Sequence, residues 1–254
     1  MATQLHGLTI ARYGWRRDLP DPRDFSYPTM PSAWDTPTVI DLRDACPPVS
    51  DQGESAACTA YALLSLFQYQ REATDTKLLE NPSAMHLYWK QREEEGTSPH
   101  DVGAQFRTGL KLLHREGVTT HDVWDADSTK PTKSVPETTP PRFVYYRLPQ
   151  SLHSMKRCLS EGYPFVFGFS VFSNMESDRV SHSGNIPLPR DTDMLLGGHA
   201  ATIVGYNDLT QQFTIQNTWG EGWGDCGYGY IPYSYVLDTN LATDFWTIRT
   251  EPVL

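Results

Sequence analysis

The first half of the chain carries apolar residues at the spacing of buried helix faces. The clearest case starts at Cys58, behind which apolar side chains fall on one face. These positions are Ala60, Leu63, Leu64 and Phe67. Their i, i+3, i+4, i+7 pattern predicts a helix over residues 58–72. Two more helices are predicted over residues 83–95 and 103–115, the latter with Gly117 as its carboxy-terminal cap.

The second half changes to short β-branched and aromatic runs separated by turn residues, a pattern typical of strands. The runs cover residues 143–146, 165–172, 199–206, 212–218, 227–236 and 245–249. One predicted helix, over residues 151–160, interrupts them. Helices followed by an antiparallel sheet predict an α+β fold of two lobes with a cleft between them.

The pattern divides the chain into three parts. Residues 34–140 are predicted to be a helical lobe and residues 141–254 a β-rich lobe. Residues 126–142 are rich in Pro, Thr, Ser and Lys and are predicted to be a surface loop between the lobes. Residues 1–33 are punctuated by prolines, which predicts an extended strap with few internal hydrogen bonds.

Two interpretations of this strap stay open. In the first, it packs on the surface and adds stability. In the second, it lies over the cleft as a short inhibitory segment, with Tyr13, Trp15 or Arg16 filling subsites. In this second interpretation, the chain's own amino-terminal segment is a binding partner of the cleft.

Composition and charge narrow the function classes. The 254 residues are 39% hydrophobic and 20% charged, as in ordinary globular proteins. A net charge of −10 argues against a nucleic-acid surface, which is usually basic, and against binding to anionic lipid. No apolar run approaches the ~18 residues that cross a bilayer, and the first eight residues lack a signal-peptide core. We therefore expect neither nucleic-acid nor membrane partners, in keeping with a cytoplasmic or virion-associated location.

Cys58 is the first candidate catalytic residue. It follows Gln52 by six residues and opens the predicted helix. A thiol in the first helical turn feels the positive end of the helix dipole and the unpaired amides, so its thiolate is favoured. The position indicates a nucleophile, with a buried structural cysteine as the alternative.

Two later residues would complete a catalytic set. His199 opens one strand-like run and Asn217 ends the next, with a short turn over residues 207–210 between them. Pairing of these strands would bring the two side chains together. A histidine can exchange a proton with a thiol while a side-chain amide fixes its tautomer. Two interpretations of Trp219 stay open: a shield of that amide from water, or an ordinary core residue.

These motifs resemble those of the papain family of cysteine peptidases. The order Gln, Cys, His, Asn is the family's, and His199 and Asn217 follow Cys58 by about 140 and about 160 residues. Motifs similar to the family's entry strand, oxyanion loop and post-asparagine loop lie at residues 41–43, 48–53 and 217–224. The resemblance covers roughly residues 36–250. Thr-Ala directly after the cysteine is similar to a branch found in bacteria, archaea and large DNA viruses.

The resemblance implies a papain-like fold with a helical lobe, an antiparallel barrel-like lobe and the active site between them. It implies a cysteine endopeptidase that hydrolyses protein or peptide substrates through a thioester and uses no cofactor. Cys58 would be the nucleophile, His199 the general acid and base, and Asn217 its orienting partner. Gln52 and the Cys58 amide would stabilise the oxyanion.

The same resemblance suggests the residues that contact substrate. They are Asp101, Gly103, Ala104, Gly198, Ala201 and Trp219. An apolar preference is expected at the S2 subsite. No metal site is expected, because the chain has no CxxC or HxxxH pair.

The other cysteines, Cys46, Cys158 and Cys226, are expected to be free thiols. A bridge between Cys46 and Cys226 has no support from spacing alone. One departure from the family concerns Ala56-Ala57, which stand where Gly-Ser is usual, and their methyl groups would narrow the cleft. Two alternatives to a peptidase stay open: a papain-fold binding protein without turnover, and a thiol acyltransferase or deamidase that uses the same residues.

Overall fold

A computed structural model describes most of the chain. The described residues are 4–5, 8–9, 13–28, 36–74, 81–124, 138, 140 and 143–250. Parts of the predicted strap, and nearly all of the predicted loop over residues 126–142, lie outside them. Near the amino terminus, Gln4–Leu5 (β1) and Leu8–Thr9 (β2) pair in antiparallel fashion.

Three helices form in the first half, as the sequence predicts. They are α1 (Cys58–Thr74), α2 (Ala84–Glu94) and α3 (Phe106–Arg115). Ser83 caps α2, because its side chain accepts a hydrogen bond from the amide of His86. Helix α3 starts later than predicted, since Gly103 has a left-handed φ of 78° and Ala104 pairs with the strap instead.

A seven-stranded antiparallel sheet forms the other part of the molecule. Its strands are β3 (Val39–Asp41), β4 (Phe143–Arg147), β5 (Phe165–Phe172), β6 (Leu195–Asn207), β7 (Gln212–Gln216), β8 (Tyr228–Pro232) and β9 (Ala242–Thr250). Six are bonded in the order β4-β9-β5-β6-β7-β8, and β3 pairs with β6. Because β6 and β7 are neighbours, residues on them come together as the sequence predicts.

Three shorter helices lie among the strands. They are α4 (Leu152–Ser160), α5 (Asp178–Ser183) and α6 (Tyr233–Leu237). The predicted strand over residues 227–236 is wrong in its second half, where α6 follows Pro232. Proline has no N–H to donate to a ladder, so the strand ends there. Within the described residues, the helices are all too short or too polar to cross a membrane.

Two hydrophobic clusters hold the fold together. One lies along the sheet and contains Phe165 and Phe167, whereas the other surrounds α1 and contains Cys58. Val166 and Trp246 belong to the sheet but pack into the helical cluster, so α1 rests against the sheet. This arrangement confirms the α+β two-lobe fold, and it sets the amino end of α1 beside β6.

Candidate active site

Cys58 is the first residue of α1, and its side chain is fully buried. Burial raises the pKa of the thiol to about 12, although the amides of Gly14, Ala200 and Thr59 act to lower it. The expected preference for the thiolate is therefore reversed in this state. The helix position alone favours ionisation, but the strap that carries Gly14 helps to bury the sulfur.

His199 and Asn217 are held together at the strands β6 and β7. The Nε2 atom of His199 lies 2.8 Å from Oδ1 of Asn217, and both residues are buried. Trp219 lies against the imidazole, with ring centroids 4.5 Å apart. Pairing of Nε2 with the amide leaves Nδ1 as the ring nitrogen for proton exchange. The amide of the next residue, Ala200, is within reach of the Cys58 sulfur.

Gln52 is fixed between the two sides of this site. Its Oε1 accepts a hydrogen bond from the Thr218 hydroxyl at 2.5 Å, and its Nε2 donates to the Ser55 carbonyl at 2.6 Å. The Gln52 amide also donates to the Thr218 carbonyl at 2.9 Å. The side-chain amide is therefore oriented by the residue that follows Asn217, with its NH₂ group toward the loop before Cys58.

Asp101, one of the expected substrate contacts, is exposed and makes hydrogen bonds within the helical lobe. Its carboxylate accepts the Ala56 amide at 3.1 and 3.2 Å and the Tyr88 hydroxyl at 2.5 Å. The Tyr88 oxygen in turn accepts the amide of Gly103 at 3.0 Å. Through Tyr88, Asp101 thus connects the loop before Cys58 to Gly103, which precedes the residue that pairs with the strap.

The strap runs along the groove beside Cys58. The Ala104 amide donates to the Gly14 carbonyl at 2.9 Å, and the Arg16 amide donates to the Ala104 carbonyl at 3.0 Å. On the opposite side, the Trp15 amide donates to the Gly198 carbonyl at 2.9 Å. Ala104 and Gly198, two of the expected substrate contacts, are therefore occupied by the chain's own backbone.

Side chains of the strap fill the same groove. The Tyr13 ring meets the rings of His199 and Trp219 edge-on, with centroids 6.3 and 6.1 Å apart. The Trp15 indole lies so close to Gly168 and Gly198 that a methyl group on either would overlap it. Ala201, another expected contact, lies instead in the hydrophobic cluster of the sheet.

A buried acidic cluster anchors the strap further along. The Asp18 amide donates to Asp244 at 2.8 Å, and the Asp18 carboxylate accepts the indole N–H of Trp246 at 2.8 Å and the Arg107 amide at 3.2 Å. The Arg107 guanidinium pairs with Asp24 at 2.6 Å. Burial, and then repulsion from Asp244, raises the pKa of Asp18 to about 6. Sequence analysis did not identify these acids. Asp18 and Asp24 lie in a run of charges among prolines, and Asp244 lies among apolar and polar uncharged residues with no such signal.

The departure at Ala56-Ala57 causes no backbone strain, since neither residue has a positive φ. The Ala56 methyl instead faces the strap: a Cβ on Gly14 would lie 2.7 Å from it. Cys46, Cys58, Cys158 and Cys226 are all free thiols in the structure.

Both the sequence and the fold are similar to those of known proteins. The family model described as papain family cysteine protease matches residues 36–244. A peptidase C1-like protein of Acanthamoeba polyphaga mimivirus is 33% identical over 220 residues, 80% of this chain and 71% of the relative. Xylellain, a cysteine protease from Xylella fastidiosa, is 36% identical with a TM-score of 0.84, covering 98% of this chain and 100% of its own. Procathepsin B from Trypanosoma congolense shares the fold at 17% identity and a TM-score of 0.72, covering 96% and 87%.

Proposed function

Because the chain belongs to the papain family of cysteine proteases, we propose that it hydrolyses peptide bonds through a thioester on Cys58 and is held latent by its own strap. The observation that carries the proposal is the position of Gly14 and Trp15 between Ala104 and Gly198, with the Gly14 amide within reach of the buried sulfur. A peptide backbone already lies where a substrate would bind. The closed groove also fits a papain-fold binding protein without turnover, and labelling of Cys58 once the strap is displaced separates that alternative from a peptidase. A thiol acyltransferase or deamidase would use the same residues, and no described contact favours it.

The reaction uses four residues. Cys58 gives its proton to Nδ1 of His199, and the sulfur attacks the scissile carbonyl carbon. The Oδ1 atom of Asn217 accepts a hydrogen bond from the Nε2–H group and holds the ring in place. The Gln52 side chain and the Cys58 amide donate to the oxyanion. As the C–N bond breaks, His199 protonates the leaving amine, which leaves a thioester.

The second half of the reaction returns the enzyme to its starting state. His199 takes a proton from water, and the resulting hydroxide attacks the thioester carbonyl. The C–S bond breaks, the carboxylic acid leaves, and the thiolate regains its proton from the imidazolium. Each residue therefore ends in the protonation state in which it began.

The contact between the strap and the Cys58 sulfur explains the proposed latency. The Gly14 amide N–H faces Cys58, so the thiol meets a hydrogen-bond donor in place of a carbonyl carbon. Burial under the strap keeps the thiol protonated, which removes the nucleophilic form. The strap is therefore bound but not positioned for cleavage.

We expect Gln52→Ala to leave a weak but measurable enzyme. Loss of one oxyanion donor costs about 2.7–4 kcal/mol, which lowers kcat by about 10² to 10³. Steady-state hydrolysis of a fluorogenic peptide measures the change. It is carried out with the opened chain, in which Gly14→Val displaces the strap because a side chain at Gly14 would overlap Ala56. Thr218→Val is the matched control, because it removes only the hydroxyl that orients the Gln52 amide and should cost less. Unchanged kcat in Gln52→Ala would exclude this role.

We expect the strap to be released more readily at neutral than at acidic pH. The pKa of Asp18 is about 6 in the seated strap and returns toward 3.8 on release. The closed state therefore binds more protons between these values. Protonation of Asp18 therefore stabilises the closed state relative to the open state. This stabilisation is complete below about pH 4 and is lost as pH rises through 6.

The measurement is the rate at which an epoxide inhibitor labels Cys58 between pH 5 and 7.5. Groups that face Asp18 are Asp244, Arg107 and the Trp246 N–H, with Asp24 on Arg107 and Arg147 on Asp244. The labelling rate of a chain opened by substitution gives the intrinsic pH dependence of the thiol, and the wild-type rate is divided by it at each pH. The resulting ratio should rise with pH in the wild type and should change less with pH in Asp18→Asn. A rate that instead rises toward acid pH would contradict this anchor.

A further inference from the structure

Tyr88 connects two parts of the site and has no role in the reaction described above. It belongs to α2, and its side chain is fully buried. Its hydroxyl donates to the Asp101 carboxylate at 2.5 Å, and the same oxygen accepts the Gly103 amide at 3.0 Å. One oxygen atom on a helix therefore holds two nearby residues of the following segment.

The contact with Asp101 leads to the proposed nucleophile. The two carboxylate oxygens accept the Ala56 amide at 3.1 and 3.2 Å, and Ala56 lies two residues before Cys58. The same loop contains Gln52, whose side-chain amide donates to the Ser55 carbonyl at 2.6 Å. A shift of Asp101 would therefore move the loop that joins the proposed oxyanion donor to the sulfur.

The contact with Gly103 leads to the backbone that pairs with the strap. A Cβ on Gly103 would lie 1.9 Å from the Gly14 carbonyl oxygen, so the two backbones are in close contact. The next residue, Ala104, donates to that carbonyl and accepts the Arg16 amide. A peptide in the place of the strap would meet the same amide and carbonyl. The bond from Gly103 to Tyr88 therefore sets where this edge lies.

The surroundings of Tyr88 fix its hydroxyl in one position. Arg92, one turn later on α2 and also buried, lies over the ring with Cζ 4.2 Å from the centroid, and it donates to the His100 carbonyl at 3.0 Å. Burial, and then the bond to Asp101, raise the pKa of Tyr88, so the hydroxyl keeps its proton. A buried network with its partners in place holds a single arrangement.

We infer that Tyr88 is a positioning residue for the proposed reaction. Its hydroxyl acts through Gly103 and Asp101, and it fixes the Ala104 backbone relative to the loop before Cys58. A bound peptide is thereby held with its scissile carbonyl at the sulfur. This inference rests on the proposed peptidase function. A displacement of about 1 Å at such a distance lowers the rate by about 10².

The test is Tyr88→Phe in the opened Gly14→Val chain, which removes one oxygen and keeps the ring beneath Arg92. We expect kcat/KM for a fluorogenic peptide to fall by about 10- to 100-fold. Two reagents, read by peptide mapping, separate positioning from loss of structure. Iodoacetamide needs only the sulfur and should label Cys58 within about threefold of the opened chain's rate. A peptidyl epoxide must also pair with Ala104, and its labelling should slow about tenfold or more.

Tyr69→Phe is the matched control. Tyr69 is also buried, and its hydroxyl donates to the Gly162 carbonyl at 3.2 Å, but it lies about three turns beyond Cys58 on α1. Its loss should lower the melting temperature about as much as Tyr88→Phe does, while kcat/KM stays within about twofold. If Tyr88→Phe hydrolyses peptides as fast as this control, the inference is wrong while the peptidase stands.

A double-mutant cycle with Asp101→Asn gives a second, independent measurement. If Tyr88 acts through Asp101, the loss of kcat/KM in the double variant should be clearly smaller than the product of the two single losses. Fully multiplicative losses would mean that the two side chains act separately, which overturns the inference. If the opened chain cleaves no peptide and neither reagent labels Cys58, the inference and the peptidase both fall.

Discussion

Replacing Gly14 by valine should turn a latent chain into an active peptidase and raise hydrolysis of fluorogenic peptides about a hundredfold. A Cβ at this position would lie 1.8 Å from the Ala56 carbonyl oxygen, and that loop cannot retreat easily because Asp101 holds the Ala56 amide. Overpacking of about 3 kcal/mol shifts the closed and open populations by about that factor. Initial rates at equal protein concentration give the comparison.

The control for this substitution is Gly222→Val. Gly222 lies in the loop after Asn217, has no positive φ, and has open space around its missing side chain. The Gly222→Val substitution should leave the chain as latent as the wild type. If Gly14→Val is folded, as judged by its circular dichroism and melting temperature, but no more active than this control, the strap does not limit activity.

The second large effect is expected from Cys58→Ala in the opened chain. Removal of the nucleophile should lower kcat by about 10⁵ or more, since the remaining groups of a triad achieve little without it. The substitution is small, and Cys58 lies in a cluster that already contains Ala56, Ala57 and Ala60, so the fold should be kept.

Cys158→Ala is the matched control for that variant. Cys158 is also fully buried, and burial likewise raises its thiol pKa to about 12, but it lies in the hydrophobic cluster of the sheet. It should retain activity within about threefold of the opened chain, since a core Cys→Ala change affects stability more than chemistry. Full turnover by Cys58→Ala would remove the nucleophile from the account.

The four longest helices, α1 to α4, and most strands could be predicted because their apolar spacing is local, whereas the short helices α5 and α6 were not. Periodicity behind Cys58 predicted the start of α1, and two apolar runs joined by a short turn predicted that His199 and Asn217 meet. Pro232 was overlooked in a run of strand-forming residues, so helix α6 was missed. Local patterns therefore identified the elements and the order of the candidate residues.

The electrostatic state of the site could not be predicted in the same way. The helix position of Cys58 favours a thiolate, but burial by a distant segment decides its pKa. The hydrogen bond from the Ala56 amide to the Asp101 carboxylate joins residues 45 positions apart and was not predicted. Asp18 and Asp244 are 226 residues apart and meet through tertiary contacts alone. Such partners have no periodic signature in the chain.

Labelling by an epoxide inhibitor of cysteine peptidases, read by intact mass and peptide mapping, tests the central claim most directly. The wild-type chain should react slowly, and the Gly14→Val chain should take up one equivalent on Cys58. Failure of both chains to react, or reaction at the exposed Cys226 in place of Cys58, would contradict the account of a peptidase held closed by its strap.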